Sequence, residues 1–152
     1  MQIVDGKPYM DQITALIKEY VGRLNRNLDF QGIDAELKDP APKYTAPEGE
    51  LLAAVEDGVV LGMVAYHRHS AIRCEMKRLY VSPKARGLLL GKKLVAAIIH
   101  QAKAAGYQEM VLDTLQHMHA AIHLYEKFGF QRCEAYYHNP MPDVLYFKKK
   151  LS

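Results

Sequence analysis

Asp57 and Gly58 stand between two apolar runs, LLAAVE and VVLGMVAYHR, and this arrangement constrains the fold more than any other feature of the chain. Asp-Gly readily adopts the left-handed backbone that a tight hairpin requires, so the two runs read as antiparallel strands. A third run, IRCEMKRLYV, follows directly. Three successive antiparallel strands between Leu51 and Val81 are the simplest account.

Helices surround this unit. Ile13, Leu16, Ile17, Tyr20, Val21 and Leu24 recur at steps of three and four, the period of an amphipathic helix, and Leu28 to Leu37 reads as a second, shorter one. Lys38 to Glu50 carries Pro40, Pro42 and Pro47 and reads as a loop. Downstream, Leu90, Leu94, Val95, Ile98, Ile99 and Ala102 form one helical face that Gly106 stops. A strand from Met110 to Asp113 comes next, then a helix with Ala121, Leu124, Tyr125 and Phe128 on one face, stopped by Gly129. Two last strands, Phe130 to Tyr137 and Val144 to Leu151, are joined by a segment holding Pro140 and Pro142. The order predicts an α/β domain with a mixed sheet.

The chain of 152 residues suits one domain, 1–152. Its longest apolar stretch, Val59 to Tyr66, is far below the roughly 20 residues of a spanning helix, and the N-terminus lacks a signal-type apolar run, so no membrane partner is expected and the cytoplasm is the expected location. Twenty basic against 17 acidic side chains leave +3, not the concentrated excess that nucleic acid demands. Cys74 and Cys133 form no CxxC pair. His119 and His123 read as a solvated helix face, with no metal expected, and Lys148-Lys149-Lys150 as strand charges that discourage edge association.

From Val81 to Lys92 the chain leaves a strand and enters a helix through Pro83, Arg86 and Gly87. Such a helix mouth presents unpaired N–H groups and a positive dipole end to an anion, a phosphate or pyrophosphate being the obvious one. The spacing of Gly87 and Gly91 matches neither a P-loop nor the dinucleotide fingerprint. The segment Arg86-Gly87-Leu88-Leu89-Leu90-Gly91 resembles the acetyl-CoA pyrophosphate loop of the Gcn5-related N-acetyltransferases, the GNAT superfamily, and Leu124-Tyr125-Glu126-Lys127-Phe128-Gly129-Phe130 is similar to that family's LYEKxGF segment. Two departures stand out: Leu89 replaces the usual central glycine, and Met118 lies where many members carry an asparagine.

The resemblance, which runs from about Leu51 to Leu151, implies a single-domain GNAT fold. That means a mixed, mostly antiparallel sheet with a splayed central strand pair and helices on both faces. It implies acetyl-CoA as cofactor, held by Arg86, Gly87, Leu88, Leu89, Leu90, Gly91 and Lys92, with Lys127 nearby and the backbone of Leu79, Tyr80 and Val81 along the pantetheine arm. The implied reaction is transfer of acetyl to a primary amine by direct attack in a ternary complex.

Neutralising a lysine-like amine at pH 7 costs about 4.6 kcal/mol, an α-amine only about 1.4. Glu75 is the candidate base, directly or through water; strand alternation would put Glu75, Lys77, Leu79 and Val81 on one face, and pairing of Glu75 with Lys77 or Arg78 is the competing reading. Tyr125 matches the family tyrosine that protonates the departing thiolate. Tyr44, His67, Arg78, Tyr137 and Asn139 are candidates for the acceptor pocket, with arginine as a carboxylate clamp that would suit a small amino-acid-like amine. A protein lysine or amino terminus stays open as acceptor, as do a homodimer and a non-catalytic module that binds CoA or a partner.

Overall fold

Asp57 (φ 51°) and Gly58 (φ 77°) turn the chain between β2 (Gly49–Glu56) and β3 (Val59–Arg68), the hairpin expected of that dipeptide. The structure, a computed structural model, describes residues 1–24, 33–85 and 89–151. β4 (Arg73–Val81) continues the antiparallel order, followed by β5 (Glu109–Leu115), β6 (Gln131–Cys133) and β7 (Val144–Lys150). One strand was not expected. β1 (Gln2–Asp5) pairs antiparallel with β2 at the sheet edge, four residues whose apolar part is only Ile3-Val4, too short to signal a strand. The seven strands run β1-β2-β3-β4-β5-β7-β6, and β4 with β5 is the parallel pair.

Helices cover both faces of this mixed sheet. α3 (Leu90–Ala104) buries all six of its expected apolar residues against Leu52, Val64, Met76, Met110 and Phe147, and Tyr125 of α4 (His119–Lys127) joins the same core. Gly106 (φ 94°) and Gly129 (φ 89°) take left-handed conformations just after these helices, as stop signals do. On the opposite face α1 (Met10–Leu24) and α2 (Ile33–Lys38) pack Ile13, Ile17 and Ile33 on Leu51, Ala53, Met63 and Tyr80. The expected helix over Leu28–Leu37 lies partly outside the described residues. No described helix is long and apolar enough to cross a membrane.

The sheet opens at its centre. β4 and β5 share only the pairs Arg73 with Glu109, Cys74 with Met110 and Glu75 with Val111, and beyond Glu75 the ladder between them ends. Against β3, Met63 pairs with Tyr80 and Ala65 with Lys77, so β4 carries one residue more than its neighbour in that interval. The extra residue is a bulge, and Arg78 sits in it with φ 60°.

This bulge corrects the expected alternation. Cys74 and Met76 belong to the α3-side core and Tyr80 to the α1-side core, while Leu79 and Val81 pack toward α3. Glu75 and Lys77 therefore face the α1 side, and Leu79 and Val81 the other. A single inserted residue shifts the two-residue period of everything after it.

The last strands differ as well. β6 ends at Cys133 rather than Tyr137. Tyr136 and Tyr137 leave the sheet because their phenols bond to Glu75 and Asp113, and their rings pack edge-on to Tyr146 at 5.3 and 5.9 Å.

Candidate active site

The divergence of β4 from β5 leaves a cleft walled by Met76, Lys77, Arg78 and Leu79 on one side and by Leu112, Asp113, Thr114 and Leu115 on the other. Tyr20 of α1, Tyr125 of α4 and Met141 of the loop before β7 complete it. Glu75 sits where the strands part, paired across the ladder with Val111.

Glu75 is 6% exposed and its carboxylate is surrounded by donors. Tyr136 Oη donates to Oε2 at 2.5 Å, while His69 Nε2 and Lys77 Nζ lie 3.3 and 3.7 Å from Oε1. Burial pushes the carboxyl pKa up, but the hydrogen bonds from His69 and Tyr136 and the charge of Lys77 outweigh it and hold it at about 2. Asp113 projects from the same face of β5. Its Oδ2 accepts from the Tyr137 phenol and, at 3.3 Å, from Asn139 Nδ2. Burial and the Glu75 charge raise its pKa despite those donors. Burial lowers Lys77 to about 8, Arg78 and Lys43 adding to the effect and Glu75 and Asp113 opposing it.

Tyr137 and Asn139 thus come together, Asn139 Nδ2 also donating to Tyr137 Oη at 2.9 Å. His67 pairs with Glu75 between β3 and β4, and its side chain lines a separate groove with Glu36 and Lys43. Two expected acceptor residues are placed differently. Tyr44 is fully buried in the α1-side core, because the proline loop folds inward under α2. Arg78 gives its Nε and Nη2 to the buried Glu36 carboxylate at 2.6 and 3.0 Å, so its guanidinium fork is turned to α2 and not to a substrate carboxylate.

Sequence reasoning missed Asp113, Tyr136, His69 and Glu36 as members of this neighbourhood, whereas Lys77 does stand beside Glu75 as the pairing reading expected. Asp113 carried a signal: it is the one charge inside the otherwise apolar or neutral run MVLDTL. Tyr136 carried none, since its partner is a residue far away in sequence.

On the α3 side, Tyr125 is 7% exposed and packs edge-on to Phe130 at 6.0 Å. Burial raises its phenol pKa, the charges of Tyr20 and Asp113 adding to it. Met118 borders the cleft, its Sδ accepting from Thr114 Oγ1 at 3.7 Å, at the position where the asparagine was missing.

Leu89 precedes α3 in the left-handed region, φ 57° and ψ 26°, with 69% of its surface exposed. Lys92 is exposed on the first turn, Lys127 is exposed at the end of α4, and Leu90 is buried in the core, leaving its backbone as its polar part. Gly91 lies where α3 meets α4; a Cβ there would meet Leu124 Cδ2 at 3.5 Å. Arg86, Gly87 and Leu88 lie outside the described residues. Tyr80 is buried on the α1 side, while Leu79 and Val81 are partly exposed on the α3 side. A strand whose ladder ends, beside the N-terminus of a 15-residue helix, fits an extended ligand with a phosphate-bearing end.

A parallel strand pair that splays, with a helix N-terminus beside the opening, is set in a fold shared with solved structures of GNAT acetyltransferases, a Staphylococcus aureus one superposing with a TM-score of 0.81 at 19% identity over 99% of both chains. The sequence profile of the acetyltransferase (GNAT) family matches residues 16–130, and the chain belongs to that family. An uncharacterized N-acetyltransferase of Schizosaccharomyces pombe is 45% identical over 94% of this chain and 89% of its own length. A Klebsiella pneumoniae structure described as an acyl-CoA N-acyltransferase is 30% identical, covers 99% of this chain and 97% of its own, and superposes with a TM-score of 0.77. A GNAT family acetyltransferase of Elizabethkingia anophelis, 21% identical with a TM-score of 0.60 over 74% of this chain and 84% of its own, has acetyl-CoA bound. This protein is thus a GNAT acetyltransferase, and acetyl-CoA is the family's acyl donor. Among the described residues no group of three or more His, Cys, Asp or Glu side chains could hold a metal ion.

Proposed function

We propose that this protein transfers the acetyl group of acetyl-CoA to the primary amine of a small molecule by direct attack within a ternary complex. The observation that carries this reading is the opening of β4 from β5 beyond Glu75, with the Arg78 bulge following on β4, which puts charged and phenolic groups on two sides of one cleft. When bound, acetyl-CoA supplies an activated carbonyl and a good leaving group.

The chain's own residues divide the remaining work. The N-terminal turn of α3, with Lys92 and the Arg86-Gly87-Leu88 segment before it, would hold the pyrophosphate, and Lys127 is the last residue of α4, on the same family segment as Tyr125. Leu79, Tyr80 and Val81 would give backbone groups to the pantetheine arm, since the β4 edge beyond Glu75 has no partner in β5. Tyr125 would hold the proton for the sulfur. Its environment keeps the phenol protonated, which a donor requires.

Glu75 takes a different part from the one expected of a base. Carrying a proton from an amine of pKa about 10.4 to a carboxyl near 2 would cost about 11 kcal/mol. Ionised at the apex of the cleft, it instead draws the acceptor's ammonium inward. With Arg78 bound to Glu36, the geometry favours recognition of the amine end of the acceptor and not of a carboxylate.

The test is thiol release on mixing the protein with acetyl-CoA and a panel of amines: tyramine, glycinamide, spermidine, Nα-acetyl-lysine and a peptide amino terminus. Turnover with a small amine, above that with the peptide, is the expected result. Binding of CoA with no turnover on any amine would instead mark a non-catalytic CoA-binding module.

A further inference from the structure

We propose that Lys77 is the residue that takes the proton from the acceptor amine. This rests on the acetyl-transfer reading above and adds to it the group that makes the nucleophile. Lys77 lines the cleft from β4, its side chain only 9% exposed, on the α1 face where Glu75 and Asp113 also project. Tyr125 comes from α4 on the other side of the sheet. The amine-side proton and the sulfur-side proton thus have separate handlers.

The neighbours of Lys77 explain why its amine can be neutral. Glu75 and Arg78 act on it from β4, Asp113 from β5, His67 from β3 and Lys43 from the loop after α2, and Tyr20 of α1 lines the same cleft. Its contact with Glu75 is long, at 3.7 Å, and that carboxylate has a 2.5 Å bond from Tyr136. Burial and two cations therefore weigh more than the ion pair, and the amine titrates at about 8.

That value suits a base. Transfer from an alkylammonium of pKa about 10.4 is uphill by a factor on the order of 10², against about 10⁸ for transfer to Glu75. Asp113 is raised too, but as a carboxyl it starts several units lower than an amine.

The step balances simply. Neutral Lys77 takes one proton from the acceptor's ammonium and later releases it to solvent. The amine nitrogen forms the C–N bond as the C–S bond breaks, and its second proton passes to the departing sulfur by way of Tyr125.

Two measurements test this. The first is kcat/KM with tyramine and with glycinamide for Lys77→Met and Lys77→Arg, alongside CoA binding by each variant. Losses of about 10²–10⁴ are expected in both variants, larger for the more basic tyramine, with CoA affinity unchanged. Arginine keeps the charge but cannot give it up, so near-wild-type turnover by Lys77→Arg overturns the proposal. The second needs no turnover: the ¹³Cε resonance of Lys77 in isotopically labelled wild-type protein, followed from neutral to alkaline pH. A midpoint near 8 supports the assignment and one near 10.4 overturns it. Wild-type protein inert to every amine would instead defeat the transfer reading itself, while the titration still reads Lys77.

Discussion

The Tyr136 phenol donates a 2.5 Å hydrogen bond to Glu75, binding the loop after β6 to the point where the central strands part. A carboxylate held near pKa 2 against about 4.5 when unfolded contributes stability that is complete above pH 4.5 and is lost as pH falls toward 2. Tyr136→Phe removes one of its donors and raises the folded pKa toward the ordinary value. The variant should be less stable than wild type by about 1.5–3 kcal/mol at pH 6, the scale of a hydrogen bond to a charged group. The gap should close as pH approaches 2. Urea unfolding midpoints across that window measure it; a gap that does not change with pH would show that the bond does not act through the Glu75 charge.

The pair Glu36 and Arg78 couples α2 to the β4 bulge. Burial pushes the Glu36 carboxyl up, yet the hydrogen bond and charge of Arg78 hold it below its usual range. Glu36→Ala would leave a buried guanidinium without its carboxylate, and a loss of about 3–5 kcal/mol is expected in denaturant unfolding at pH 7. The double change to Glu36→Met and Arg78→Met should recover much of it. Destabilisation of the double variant equal to that of Glu36→Ala would contradict this account.

Leu89 adopts a left-handed backbone that costs a side-chain-bearing residue about 1–2 kcal/mol, and its largely exposed side chain returns little burial. Leu89→Gly relieves that strain, offset by the greater freedom of glycine in the unfolded chain. The melting temperature should stay level or rise by about 2 °C. Calorimetric titration should give tighter CoA binding, because the backbone can then approach a phosphate more closely.

Tyr125→Phe keeps the ring that packs on Phe130 and removes only the hydroxyl. Single-turnover rates with acetyl-CoA should fall about 10²-fold or more at pH 7, with thermal stability close to wild type. Unchanged rates would assign Tyr125 to the core alone.

What the residues alone determined is what local period and turn chemistry control. The apolar steps of α3, the Asp57-Gly58 turn and the glycines at 106 and 129 all act within a few residues, and each appears in the fold as read. The loop residues Arg86 to Gly91 resemble the family's by themselves, with Leu89 as the departure. Three-dimensional packing decided the rest. β1 is a single short edge strand whose existence depends on β2 offering its edge. The Arg78 bulge is a mismatch in register between two strands, and no periodicity within β4 announces it. It alone sends Lys77 to one face and Leu79 to the other. The meeting of Glu75, Lys77, Asp113, His69 and Tyr136 joins two strands and two loops. Hydrogen bonds between such distant segments depend on where the folded backbone carries each side chain, so their energetics and the distribution of protons in the cleft exist only in the tertiary structure.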